Sequence, residues 1–286
     1  MRLPEWIRTK NPRRLHDTKR ILRRYSLSTV CEEARCPNVG ECFLKPTAAF
    51  MIMGSKCTRN CGFCSVKSSV PEPLDHDESE RVGMAAKDMG LRYVVITSVT
   101  RDDLSDGGAG HFARTLDAVR RYASGVKVEV LTPDFKGARI SINTVLHARP
   151  DVFNHNIETV PRLYPVVRPL ADYRRSLSLL AHIKNTAPEM RTKSGLMLGL
   201  GERLNEVMGV LRDLRDTGCD IVTIGQYLRP LRSNLPVVEY IEPETFERLR
   251  LTTLSMGFTY VSSAPLARSS MNAEEMYNNE DTKIYP

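Results

Sequence analysis

Long hydrophobic runs are missing from this 286-residue sequence. The longest, Ala48–Met53, falls far short of the roughly 20 apolar residues that a membrane-spanning helix needs, so no membrane association is expected. The opening MRLPEWIRTK contains no apolar h-region, which argues against a secretory signal. There is no low-complexity tract and no repeat at the spacing of solenoid or propeller proteins. Tryptophan occurs once and aromatics make up 7% of the chain. The basic N-terminus therefore has only Trp6 and Tyr25 interleaved for stacking on bases. Basic excess is also absent from most of the chain. The net charge of +7 resides entirely in residues 1–30, where nine Lys and Arg (Arg2, Arg8, Lys10, Arg13, Arg14, Lys19, Arg20, Arg23, Arg24) face only Glu5 and Asp17; the other 256 residues balance. Such an arm suits an acidic partner or a solvated surface as well as nucleic acid.

What is present is an ordinary globular composition, 41% hydrophobic and 26% charged. A core of this size folds without disulfide staples. In a cytoplasmic protein, the expected setting here, seven cysteines argue for metal or redox chemistry. From residue 48 onward, β-branched runs alternate with amphipathic segments. Residues 48–55, 93–98, 126–131, 151–156, 194–201 and 220–225 read as buried parallel strands. Residues 78–89, 109–122, 173–186 and 203–217 read as helices, with Gly90 and Gly218 where a C′ glycine belongs. Six strands in βαβ order imply an α/β fold with right-handed crossovers, open or partly closed into a barrel. Residues 1–47 form an N-terminal extension, 48–245 the α/β body, and 246–286 a C-terminal segment.

The cysteines fall into two sets. Cys57, Cys61 and Cys64 are spaced C-x3-C-x2-C in CTRNCGFC, directly after the first core strand. Three thiolates this close can hold three irons of a cubane cluster and leave the fourth iron open, as a catalytic site requires. A loop at the C-terminal end of a barrel strand is also where such folds bind ligands. A zinc site would want a fourth Cys or His, and His76 is the nearest candidate. Cys31, Cys36 and Cys42 form C-x4-C-x5-C in CEEARCPNVGEC. Pro37 and Gly40 break any helix there and let the thiols turn toward one point. Again only three sulfurs are offered. Cys219, in TGCD, reads as a small buried residue.

The CTRNCGFC triplet, including Phe63, resembles the radical S-adenosylmethionine superfamily. The likeness extends along the chain to one family, the lipoyl synthases. It is carried by Pro4-Glu5-Trp6 (which argues against a cleaved transit peptide), by the C-x4-C-x5-C triplet, and by residues 96–112, 154–169, 192–202 and 224–230. It ends with APLARSSMNAEE (264–275), similar to an Arg-Ser-Ser-Tyr motif. Three positions depart from the family pattern: Met271 for tyrosine, Ala264 for glycine and Asn234 for histidine.

The resemblance implies a partial (β/α)6 TIM-like barrel and two 4Fe–4S clusters. The cluster on Cys57, Cys61 and Cys64 would bind S-adenosyl-L-methionine and reduce it, giving a 5′-deoxyadenosyl radical. That radical would take hydrogens from carbons 6 and 8 of an octanoyl-lysine on a carrier domain. The cluster on Cys31, Cys36 and Cys42 would be the sulfur donor, its fourth ligand a serine of the Arg-Ser-Ser motif, with Ser270 preferred over Ser269. Ser98, Asn156 and Glu158, at strand ends, are candidates for the cofactor's ribose and methionyl groups, and Arg174 for its carboxylate. Asp102, Asp103 and the Asp106–Gly108 turn also read as a helix entry. Neither GLMLGLGE nor DGGAGH has the Lys-Ser/Thr ending of a phosphate-binding loop.

Expected partners are octanoylated lipoyl carrier domains, namely the glycine cleavage H protein and 2-oxoacid dehydrogenase acyltransferase subunits. An electron donor such as flavodoxin or ferredoxin is also expected, and neither nucleic acid nor membrane. Competing readings are a biotin synthase-like enzyme, an RNA methylthiotransferase, and a metal-stabilised nucleic-acid-binding module.

Overall fold

The computed structural model describes residues 3–7, 16–43 and 47–278, in two compact units. One contains residues 16–60 and 65–153, the other 3–7, 61–64 and 154–278. Of the basic N-terminal residues, Arg2, Arg8, Lys10, Arg13 and Arg14 lie outside the described residues.

The first unit opens with α1 (His16–Arg24), β1 (Ser28–Thr29), α2 (Val30–Glu33) and α3 (Val39–Cys42). There follow β2 (Thr47–Ile52), β3 (Lys56–Cys57), β4 (Lys67–Ser68), α4 (Glu78–Asp88), β5 (Tyr93–Ser98), α5 (Ala109–Tyr122), β6 (Lys127–Leu131), α6 (Arg139–His147) and β7 (Val152–Asn154). Strands β2, β5 and β6 pair in parallel, with Ala49 opposite Val95 and Val95 opposite Glu129. β1 lies antiparallel beside β2. Consecutive residues Ala49–Ile52 and Val94–Ile96 are all buried, so both sheet faces are covered, as parallel strands require. α5 buries Phe112, Leu116 and Val119 on one stripe. α4 packs against it through Gly83, where a Cβ would come within 2.7 Å of the Ala118 carbonyl oxygen. On α1, Arg23 and Arg24 pair with Glu32 and Asp88 at 3.1 and 3.4 Å, so part of the basic arm is matched within the chain.

The second unit contains α7 (Tyr164–Val167), α8 (Tyr173–Thr186), β8 (Arg191–Leu198), α9 (Leu204–Asp216), β9 (Ile221–Gln226), α10 (Pro243–Ser255), β10 (Tyr260–Ala264) and α11 (Ala273–Asn278). β8, β9 and β10 are parallel, with Leu196 opposite Ile224 and Ile224 opposite Ser263. Asp172 caps α8 by accepting the Arg175 N–H at 2.6 Å, and α9 buries Val207, Val210, Leu211 and Leu214.

Every expected strand segment contains a strand, and the architecture is α/β with parallel pairing. Several bounds differ: β2 ends at Ile52 rather than 55, and β8 runs Arg191–Leu198 rather than 194–201. β8 begins at Arg191 because Thr192, Lys193 and Ser194 are fully buried, and an apolar pattern does not reveal buried polar residues. β7 stops at Asn154. The rhythm also runs further than the apolar pattern indicated: α10 and β10 add a helix and a parallel strand to the C-terminal segment, and α6 fills the stretch after β6. Among the described residues no helix is long and apolar enough to cross a membrane.

Candidate cluster and cofactor site

All seven cysteines are free thiols. The 31/36/42 set lies wholly in the first unit, with Cys31 and Cys42 on two one-turn helices and Cys36 in the connection between them. Thr29 starts α2 by accepting the Glu32 N–H on its hydroxyl at 3.3 Å. Arg35, at φ 50°, reverses the chain after it. The Cys36 N–H then returns to the Cys31 carbonyl at 3.0 Å, and the Cys42 N–H meets the Asn38 carbonyl at 3.0 Å. Burial pushes the Cys31 thiol well above its usual range, and the neighbouring Cys36 and Cys42 thiols and Glu32 push it further. Cys36 and Cys42 thus lie close enough to Cys31 to raise the cost of ionising it, and iron offsets that cost when a thiol binds it as a thiolate. Among the described residues no three His, Cys, Asp or Glu side chains converge on a single metal ion. A cubane, with its irons at separate corners, asks for no such common point. The donor set therefore fits a cluster.

The second set divides between the units, Cys57 in the first and Cys61 and Cys64 in the other. Cys57 ends β3. Its Sγ accepts the backbone N–H groups of Arg59 at 3.4 Å and Thr100 at 3.3 Å. Ser98 ends β5, and its Oγ is buried without a hydrogen-bond partner. In the second unit, the Gly62 N–H donates to Val167 O at 2.9 Å, and the Leu235 N–H donates to Gly62 O at 3.0 Å. Asn234, where the family pattern has histidine, donates its amide to the carbonyls of Gly62 and Cys64 at 3.2 and 2.8 Å. Phe63 packs against buried Val167, Leu200 and Tyr227.

The second unit brings Asn156, Glu158 and the Arg-Ser-Ser motif together. Glu158, held at φ 68°, forms a parallel bridge to Leu196. The Asn156 amide donates to Glu158 Oε1 at 3.0 Å and Ser269 Oγ at 3.4 Å. The amide oxygen of Asn156 is buried and unpartnered, an acceptor open to a ligand hydroxyl or amine. Burial pushes the Glu158 carboxyl up, partly offset by Arg168, Asn156 and Arg268. Fully buried Lys193 donates to the Ser269 carbonyl at 2.5 Å. At Gly225 an added Cβ would fall 2.2 Å from the Ala267 carbonyl oxygen, so only glycine lets the motif's backbone approach β9. Ser270, the preferred ligand, is partly buried in the following turn.

Arg174 is exposed on the first turn of α8. A buried cation beside Asn156 is Arg168, which sequence reasoning missed. Its guanidinium donates to Asn156 O and Ile157 O at 3.0 and 3.1 Å and to the Tyr164 hydroxyl at 3.2 Å. Its Nε–H is buried with no partner. Lys193 also went unseen. Neither carried a sequence signal of its own: Arg168 directly follows α7 and Lys193 lies within β8.

The family profile described as the radical SAM superfamily matches residues 51–225. Two solved structures share the fold. Streptococcus suis SuiB bound to S-adenosylmethionine aligns with a TM-score of 0.59 at 12% identity, covering 80% of this chain and 54% of that one. Methylornithine synthase aligns at 0.52 and 14% identity, covering 82% and 73%. The chain is thus a radical SAM enzyme, and its parallel strands are those of that superfamily's partial barrel. Curated relatives narrow this further. The lipoyl synthase of Rubrobacter xylanophilus is 55% identical over 274 residues, 95% of this chain and 85% of that protein. The lipoyl synthase of Caldanaerobacter subterraneus subsp. tengcongensis is 53% identical over 275 residues, 96% of each. This chain belongs to the lipoyl synthase family.

Proposed function

We propose that this enzyme inserts two sulfur atoms at carbons 6 and 8 of an octanoyl group amide-linked to a lysine of a lipoyl carrier domain, yielding the lipoyl cofactor. The observation that carries the reading is the pair of free three-thiol sets on one chain of this family. Cys57, Cys61 and Cys64 would hold the first 4Fe–4S cluster, and Cys31, Cys36 and Cys42, with Ser270, the second. When bound, the first cluster supplies an open iron and an electron for cleaving S-adenosylmethionine, and the second supplies the sulfur.

The chain's own groups have separable tasks. Asn156 offers its free amide oxygen, and Glu158 its carboxyl, to the polar groups of S-adenosylmethionine. Ser98 Oγ offers a further hydroxyl. The buried Nε–H of Arg168 suits the cofactor's carboxylate better than exposed Arg174, because a charge-assisted hydrogen bond is strongest away from water. Lys193 holds the Ser269 backbone, which leaves the Ser270 side chain to serve as the ligand. A hard hydroxyl on an otherwise thiolate-held iron is readily exchanged, as suits a cluster consumed in the reaction. The carriers would be the glycine cleavage H protein and the 2-oxoacid dehydrogenase acyltransferases, with flavodoxin or ferredoxin as electron donor.

The test is anaerobic reconstitution followed by S-adenosylmethionine, reductant and an octanoyl-lysine peptide. About eight irons per chain, 5′-deoxyadenosine and a dithiolated peptide are expected. Replacing Cys31, Cys36 and Cys42 by alanine should preserve 5′-deoxyadenosine formation and abolish sulfur insertion. Stoichiometric zinc alone, or lipoyl product from the triple variant, would overturn the reading.

A further inference from the structure

The TRDD segment and the turn after β6 bear on the Cys57 end of the cluster loop, within the first unit. Arg59 lies between Cys57 and Cys61 in sequence, and its side chain is 4% exposed. Its guanidinium grips Asp102 with two bonds, Nε to Oδ2 at 2.7 Å and one terminal nitrogen to Oδ1 at 3.0 Å. The same terminal nitrogen donates to Asp134 Oδ1 at 2.6 Å, and Asp134 is fully buried. One two-bond fork and one further charge-assisted bond on a desolvated cation fix direction as well as distance.

The backbone is joined at the same place. The Thr58 N–H and hydroxyl both donate to Thr100 O, at 3.0 and 2.9 Å, and the Asp102 N–H donates to the Thr58 hydroxyl at 3.0 Å. Asp134 is aimed by a turn that holds Phe135 and Lys136 at φ 46° and 51°. The Lys136 N–H donates to Asp134 Oδ1 at 3.0 Å, and Lys136 Nζ donates to Asp102 O at 3.2 Å. Two consecutive non-glycine residues in the left-handed region mark a segment whose conformation the surroundings impose. All of this converges on residues 57–59, where Cys57 Sγ accepts the N–H groups of Arg59 and Thr100.

We propose that Arg59, Asp102 and Asp134 are positioning residues that hold Cys57 beneath those two N–H donors and thereby set the reduction potential of the cluster on Cys57, Cys61 and Cys64. The proposal rests on the functional reading above. Hydrogen bonds to a ligand sulfur and nearby charge both tune a cluster's potential. A cation held at the loop and two N–H groups on the thiolate each favour the more negative, reduced form. Removing Arg59 therefore lowers the potential on both counts. Arg59→Lys keeps the charge, loses the fork, and should give a smaller shift of the same sign.

The experiment is a redox titration of the reconstituted full-length enzyme followed by electron paramagnetic resonance, reading the signal that changes when S-adenosylmethionine is added. Iron loss to a chelator is measured in parallel. Arg59→Gln should lower the midpoint potential and release iron about tenfold faster, the usual scale for losing a partner just outside the ligand shell. Arg59→Lys should fall between it and the wild type, and it guards against a Gln variant that fails to fold around two carboxylates deprived of their guanidinium. A folded Arg59→Lys enzyme with wild-type potential and wild-type iron retention overturns the clamp. A wild-type enzyme with no signal responsive to S-adenosylmethionine overturns the functional reading, and the clamp's purpose with it.

Discussion

The two cysteine sets are built in opposite ways. Around Cys31, Cys36 and Cys42 the backbone–backbone bonds span a few residues, such as Cys36 to Cys31 and Cys42 to Asn38, and longer ties reach residues flanking them, from Ser65 to Glu33 O and from Thr18 to Phe43 O. The ends of the 57–64 loop are held over long sequence distances. Residues 57–59 bond to residues 100–134 in the first unit. Residues 62–64 bond to Val167, Asn234 and Leu235 in the second. A loop tied to strand ends costs a remote substitution dearly and keeps its geometry between turnovers. A loop made of one-turn helices can re-form locally, which suits a cluster that is spent and rebuilt.

That contrast can be broken. Gly62→Ala should have the largest effect, because its Cβ would lie 2.8 Å from Leu235 Cδ1 and 3.1 Å from the Val166 carbonyl oxygen. Overpacking of this kind costs about 1–3 kcal/mol. We expect the radical cluster alone to be lost, with iron falling from about eight to about four per chain; loss of both clusters would refute the independence of the two sets. Asn234→Ala removes two hydrogen bonds from the same loop and should cost about 2 kcal/mol. It should cut 5′-deoxyadenosine formation while the donor cluster's iron stays, as iron analysis of the two variants side by side would show. Thr29→Ala removes the cap of α2, at about 1 kcal/mol, and should reverse the pattern: normal cofactor cleavage with less sulfur inserted, measured as the product ratio.

The smallest effect belongs to Glu206→Gln on α9, remote from both sets in sequence. The hydrogen bond from Arg162, then the Arg203 N–H, lowers the Glu206 carboxyl to about 2. Its stabilisation is therefore present above the ordinary value of about 4.5 and is lost as pH falls toward 2. Thermal melts of wild type and variant should differ slightly at neutral pH, converge in acid, and converge also in high salt, since the pair is exposed.

The six cysteines were legible because their chemistry lies in spacing along the chain. The strand from 93 to 98 was equally plain, its β-branched residues buried on both faces. β10 was harder, since YVSSA interrupts its apolar residues with serines, one of which is satisfied by the Phe246 carbonyl at 2.7 Å. α10 has a Pro at its start and a weakly striped face of threonines and arginines. Arg59, Asp102 and Asp134 share no spacing that links them; they are brought together from the segments that follow β3, β5 and β6. Arg168 and Lys193 were hidden for a related reason, as a charge inside a folded core declares itself only through its partners.

The left-handed turn at Phe135 and Lys136 has a consequence for anyone breeding this protein toward hardiness. Selection for heat resistance alone should drift Lys136 toward glycine or asparagine, relieving about 1 kcal/mol of backbone strain. Selection for turnover should resist that change, because a slacker turn would let Asp134 wander. The position offers an adversarial test of the molecule's priorities: if thermally selected lineages acquire glycine there and lose nothing else, ruggedness and catalysis are not in conflict at this corner.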